Sequence, residues 1–165
     1  MCVTLEAVLL QLAPRVLRYC VGYTADRTLG EDVAQDTLTA LVKTWRTSGP
    51  PANPDAFVFV VAKRKARRAV LQRRLLLPID ALLGHRHRGH DPESAAIEDD
   101  KRTRMLAAIR RLPRAEREAI LLVAGAGQTL QEAARSLGIS LSAMKMRHSR
   151  GKQRLLTLVN NHHGR

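Results

Sequence analysis

A chain of 165 residues with 28 Lys and Arg against 15 Asp and Glu, a formal net charge of +13, has room for one ordinary domain or two small ones. Such an excess of cations points to a polyanionic partner, and the lack of an apolar run of signal-peptide or membrane-span length argues against export or bilayer insertion. Cys2 and Cys20 have neither metal nor redox spacing, so a reducing cytosol is expected, with the thiols acting as small apolar residues rather than a regulatory pair.

The charge is divided along the chain. Residues 1–75 hold 12 basic and 6 acidic side chains, residues 76–100 hold 2 and 6, and residues 101–165 hold 14 and 3, giving +6, −4 and +11. Two cationic blocks around an acidic spacer suit two nucleic-acid-binding units.

The first element, LEAVLLQLAPRVLRYCVGY at 5–23, is apolar at helical spacing, with Pro14 predicting a break or kink. TADRTLGEDVAQDTLTALVKTWRT follows, opening with turn chemistry and then placing Val33, Leu38, Leu41, Val42 and Trp45 along one helical stripe. Asp32, Gln35, Asp36 and Lys43 fall on the opposite, exposed side. SGPPANPD at 48–55, with three prolines and a glycine, is a loop.

A third helix is expected from about Asp55 to Leu75, beginning with Phe57 to Val61 and ending in KRKARRAVLQRR. Within twelve residues it carries Lys63, Arg64, Lys65, Arg67, Arg68, Arg73 and Arg74 with no acid, enough to make phosphate binding strongly salt-dependent. Residues 76–101 contain Pro78, Gly84, Gly89 and Pro92 and read as a linker with room for a short helical piece. Helical periodicity resumes at 102–112, and Pro113 opens a helix AEREAILLVAGAG. No stretch alternates like a strand, so the chain is expected to be all-α, in two small helical domains at 1–75 and 102–165.

The most specific stretch is QTLQEAARSLGISLSAMKMRHSRGKQR at 128–154. Ala133, Ala134 and Leu137 supply the inner face of a first helix, Gly138 the turn, and Ile139, Leu141 and Met144 the packing beyond it: a helix-turn-helix pattern. Its second helix exposes Lys145, Arg147, Arg150, Lys152 and Arg154 with no acid among them, which fits a phosphate-lined groove.

These stretches together resemble a bacterial RNA polymerase sigma factor of the extracytoplasmic-function (ECF) group, within the sigma-70 family. TADRTLGEDVAQDTLTALVKTW is similar to that family's region 2, and LPRAEREAILL with TLQEAARSLGISLSAMKMRHSRGKQRLL is similar to its region 4. The two motifs stand in the expected order and cover nearly the whole chain. The resemblance implies a transcription initiation factor that binds core RNA polymerase, through the largest subunit's coiled coil and the flap, and directs it to promoter DNA.

By position, the resemblance gives Asp32, Gln35 and Asp36 to the polymerase contact. It places the −10 element beside the loop Thr47 to Asn53, where Asn53 helps to shape a pocket for a flipped base and Lys63, Arg64, Arg67 and Arg68 hold backbone phosphates. Extruding that base costs a few kcal/mol, which such contacts must offset. In region 4, Lys145, Met146 and Ser149 match positions facing base edges of the −35 element, and Arg147 and Arg150 match phosphate contacts. An anti-sigma factor is a further implied partner.

The chain departs from the family pattern where Arg64 and Arg68 replace an Asn and an Asp, and at His148, which occupies an apolar packing position and is expected to be a hydrogen-bonded core histidine. Aromatic residues are only 3% of the chain, so stacking platforms for melted bases are scarce and a narrow choice of promoters is expected. His85, His87, His90, His162 and His163 resemble no metal site, and neither metal nor cofactor is expected. Two competing readings are weaker: a stand-alone helix-turn-helix regulator leaves the first 75 residues unused, and an enzyme lacks a nucleophile–base pair, a carboxylate cluster or a phosphate-binding glycine loop.

Overall fold

The computed structural model describes residues 4–76 and 93–160, and every regular element among them is helical. The linker histidines, His162, His163 and Cys2 lie outside the described residues. Helix α1 spans Leu5–Thr24, α2 Arg27–Ser48, α3 Pro54–Leu76, α4 Glu93–Arg111 and α5 Arg114–Ile120. A single π-helical turn, Leu121–Gly125, extends α5, and α6 (Leu130–Leu137) and α7 (Leu141–Asn160) complete the chain.

Helix α1 starts where the Thr4 hydroxyl accepts from the Ala7 amide, and it continues unbroken through Pro14. Pro14 removes the amide that would bond the Leu10 carbonyl, but both residues lie on the exposed side of the helix, Leu10 at 75% exposure, so the lost bond falls on the solvent side. The tight connection to α2 puts Ala25 in the left-handed region at φ 51° and uses Asp26 as the N-cap, its carboxylate accepting from Leu29 at 2.9 Å. Arg73 pairs with the same carboxylate and so ties the end of α3 to the start of α2.

Helices α1 and α2 cross closely at Gly30, where an added Cβ would lie 2.6 Å from the Val21 Cα. Val8, Leu12, Val16, Tyr19 and Cys20 from α1 pack with Val33, Ala34 and Leu41 from α2 and with Val58, Phe59, Ala62 and Ala66 from α3. Burying a side chain of this size is worth about 1.5–3 kcal/mol, so this shared face holds the three helices together. Burial pushes the Cys20 thiol up to about 12, leaving it a small apolar residue, as its isolated spacing anticipates.

The loop before α3 is shorter than expected, because α2 runs through Thr47 to Ser48. Helix α4 begins at Glu93 rather than at 102, with an acid at its first position, which is favourable at a helix start. In the C-terminal half, Thr129 and Glu132 form a reciprocal capping box at the start of α6, and Gly138, at φ 67°, ends that helix with a left-handed turn. Ala133, Ala134 and Met144 are buried as expected, whereas Leu141 stays 38% exposed at the first turn of α7, where it precedes the crossing. Gly151 lets α7 approach α5 closely, within reach of the Glu116 backbone.

The apolar core does not stop at the end of α3. Ala119, Leu121, Leu122, Ala126, Ala133, Ala134 and Met144 join the same cluster, and α1 meets the π-helical turn while α3 meets α6.

Candidate nucleic-acid interface

The exposed face of α2 is built by exclusion. Val33, Ala34, Thr37 and Leu41 turn inward, and Asp32, Gln35 and Asp36 are left exposed on the opposite side. Asp36 is 71% exposed and accepts a 3.1 Å ion pair from Lys65 of α3. An exposed pair of this kind is worth about 0.2–1 kcal/mol, weak enough for a cationic partner to replace Lys65.

On α3, Arg64, Arg67 and Arg68 are exposed, and helical spacing sets them on one face with exposed Val60, Leu71 and Leu75. Lys63 is only half exposed, and its ammonium reaches the Ser136 carbonyl at the end of α6, 3.4 Å away. Asn53 is exposed at the start of α3, more than two turns before these cations, and its side-chain oxygen accepts from the Ala56 amide at 2.9 Å. It therefore caps α3, a structural duty the sequence reading did not assign to it, and its amide nitrogen is the part turned to other work.

Every aromatic residue lies in the first 60 positions and none is exposed: Tyr19, Tyr23 and Phe59 are buried, Trp45 and Phe57 half buried. The Tyr19 and Phe59 rings meet edge to face at 5.7 Å, so these rings build the core. The exposed apolar area near the α3 arginines is aliphatic.

On α7, Lys145, Met146, Ser149 and Arg150 are exposed and Arg147 is half buried. Lys145, Met146 and Ser149 recur at three- and four-residue steps and form one face, with Arg147 and Arg150 along its edge. Met146, Arg147 and Arg150 also line a shallow cleft of about 250 Å³ against Pro113, Ala115 and Glu116. The basic stripe is interrupted at its far end, where Arg154 lies 3.3 Å from the buried Glu116 carboxylate of α5. That leaves Lys145, Arg147, Arg150 and Lys152 as the remaining cations of the stripe.

His148 is half buried, but among the described residues no hydrogen bond fixes its ring, contrary to the expectation of a satisfied core histidine. Burial, and secondarily Lys152 one turn on, holds its pKa below the usual 6.5.

The sequence reading missed the residues that join the two halves. Arg15 forms a two-pronged pair with Asp55 at 2.6 and 2.9 Å and donates through Nε to the Ala126 carbonyl at 2.6 Å. Arg18 donates to the Gly125 carbonyl at 2.9 Å, and the Tyr23 hydroxyl bonds buried Glu118 at 3.3 Å. Their trace in the sequence is a pair of cations three residues apart inside an otherwise apolar helix, with Gly22 four residues beyond.

No helix among the described residues is long and apolar enough to cross a membrane. The Sigma-70 region 2 family model matches residues 9–75 and the Sigma-70, region 4 model matches residues 102–155. The chain is 34% identical over 163 residues to the ECF RNA polymerase sigma factor SigD of Mycobacterium tuberculosis, covering 92% of this chain and 74% of that one. It is 22% identical over 152 residues to the ECF RNA polymerase sigma factor EcfG of Rhodopseudomonas palustris, covering 92% and 82%. Among solved structures, the sigma factor RpoE from Bartonella quintana, crystallised with the anti-sigma factor NepR, shares the fold at a TM-score of 0.74 and 22% identity over 94% of this chain and 96% of that one. CnrH, solved with the cytosolic domain of CnrY, matches at 0.63 and 22%, covering 95% and 88%. A region 2 bundle in α1–α3 followed by a region 4 helix-turn-helix in α6–α7, together with these matches, places the chain among the ECF sigma factors, initiation factors that bind core RNA polymerase and direct it to promoters.

Proposed function

We propose that residues 1–75 form the polymerase and −10 unit, 76–101 the linker and 102–165 the −35 unit, and that the chain works in the cytoplasm as a binding factor without catalysis of its own. Asp32, Gln35 and Asp36 meet a basic surface of core polymerase. Asn53, Lys63, Arg64, Arg67 and Arg68 receive the melted −10 strand. Helix α7 enters the −35 major groove, where Lys145, Met146 and Ser149 meet base edges and Arg147 and Arg150 hold phosphates. An anti-sigma factor fits as the regulator, since both structural neighbours named above were solved as complexes, one with a named anti-sigma factor.

The observation that carries the interface assignment is the exposed acidic face of α2, opposed to a fully buried Thr37 and Leu41. Gel filtration of the full chain with bacterial core polymerase tests it. The wild type co-elutes, and an Asp32→Ala/Asp36→Ala variant with unchanged helicity elutes separately. A variant that co-elutes as well as the wild type would remove the α2 face from the interface.

A further inference from the structure

Helix α3 turns Val58, Phe59, Ala62 and Ala66 fully into the core, yet three further aliphatic side chains stand outside it: Val60 at 44% exposure, Leu71 at 48% and Leu75 at 84%. They are not scattered. Three- and four-residue steps run from Val60 through Arg64, Arg67 and Arg68 to Leu71 and on to Leu75, so aliphatic and cationic side chains share one outward stripe. At 1.5 Å per residue the stripe is about 22 Å long, the length of about six nucleotides at 3.4 Å each.

The cations of the stripe are uncommitted. Lys65 and Arg73, which lie off it, pair with Asp36 and Asp26, whereas Arg64, Arg67 and Arg68 have no ion pair among the described residues. A row of unneutralised guanidiniums calls for a polyanion. An anionic membrane is the poorer fit, since a surface-bound helix sinks a wide apolar face into the lipid and keeps its cations on the opposite one. Here the wide apolar face lies in the core, and the outward face interleaves single aliphatics with arginines.

A melted nucleic-acid strand supplies both halves of the match, phosphates for the arginines and unpaired bases for the aliphatics. An aliphatic group cannot hydrogen-bond a base edge. What it can tell apart is the C5 methyl of thymine, the one apolar substituent among the four bases. No aromatic side chain is exposed, so ring stacking does not compete for that role.

We propose that Leu71 and Leu75, with Val60 at the other end of the stripe, read thymine methyl groups on the melted strand while Arg64, Arg67 and Arg68 hold its phosphates. This rests on the −10 reading of α3 given above and adds to it a base preference carried by aliphatic side chains.

Fluorescence anisotropy compares a labelled thymidine oligomer of about twelve nucleotides with its deoxyuridine counterpart, which lacks only the C5 methyls. Titrations use the full chain bound to bacterial core polymerase, with core alone as the baseline. The free chain is titrated in parallel, so a failure to bind core leaves the comparison standing. Removing one methyl group from water is worth about fourfold in affinity, and the wild type is expected to prefer the thymidine oligomer about fivefold or more. Leu71→Gln/Leu75→Gln removes the exposed apolar groups and keeps a good helix former at both positions, so the preference is expected to fall below about twofold with unchanged helicity. Arg64→Ala/Arg67→Ala/Arg68→Ala is expected to weaken both oligomers alike and to lower the salt slope by about 2, at about 0.7 for each phosphate of a single strand.

Equal binding of the two oligomers by the wild type, or a preference that survives the leucine substitutions, would overturn the methyl contact, and the arginine result would then still speak for the −10 strand. Arginine substitutions without effect on either oligomer would overturn both. Leucine-dependent retention on phosphatidylglycerol vesicles, with no preference for thymidine, would assign the stripe to a lipid surface instead.

Discussion

At the residue scale, the side chains on α7 divide by what each can discriminate. Lys145 is exposed on the face of α7 proposed to meet base edges, so Lys145→Ala is expected to relax sequence preference at one −35 position by about 1–3 kcal/mol. Arg150, proposed to hold a phosphate, gives a different outcome. Arg150→Ala should weaken binding to all duplexes alike and lower the salt slope by about 1, as measured by anisotropy titrations at several salt concentrations. His148 supplies a pH signature. Its pKa is lowered by burial, so the fold favours the neutral ring, and the stability this contributes is intact above the unfolded value near 6.5 and declines as pH falls through it. The melting temperature is therefore expected to fall between about pH 7.5 and 5.5, and to fall less in His148→Gln. The resemblance sets His148 at a packing position; the sequence could not show that no hydrogen bond among the described residues reaches the ring, because that depends on which side chains of neighbouring helices come near it.

At the element scale, helices follow from local patterns wherever caps and periodicity coincide. Thr129 with Glu132 opens α6 and Gly138 ends it, which is why the helix-turn-helix was readable from residues 128–154 alone. Pro14 misled as a sign of a break because the cost of its missing bond depends on whether the freed carbonyl meets water, which only the packed helix decides. Asn53, which the resemblance places at a pocket, is the cap of α3, a role visible only once the helix starts one residue earlier than expected. Helices α1 and α2 approach closely at Gly30, where a Cβ would run into the backbone of Val21. Gly30→Ala should separate α1 from α2 and cost about 1–3 kcal/mol, read as a drop in melting temperature of several degrees by calorimetry.

At the scale of the whole molecule, the core encloses the aromatic residues that would otherwise stack on melted bases. Strand opening must then draw on the promoter's own ease of melting and on polymerase, so transcription with core enzyme over a panel of promoters is expected to be efficient from only a few. Efficient transcription from many unrelated promoters would contradict this. The sequence by itself determined the helical class, the order of the two cationic units and the surfaces each presents, because charge and apolar periodicity act over a few neighbouring residues and need no knowledge of the rest of the chain. Only the tertiary structure decided that Arg15 and Arg18 meet carbonyls more than a hundred positions away, that Glu116 draws off Arg154, and that Lys65 leans on Asp36. The physical reason is common to all three. A charged side chain carries no local mark of its partner, and the partner is set by how helix ends and faces come together when the apolar stripes are buried.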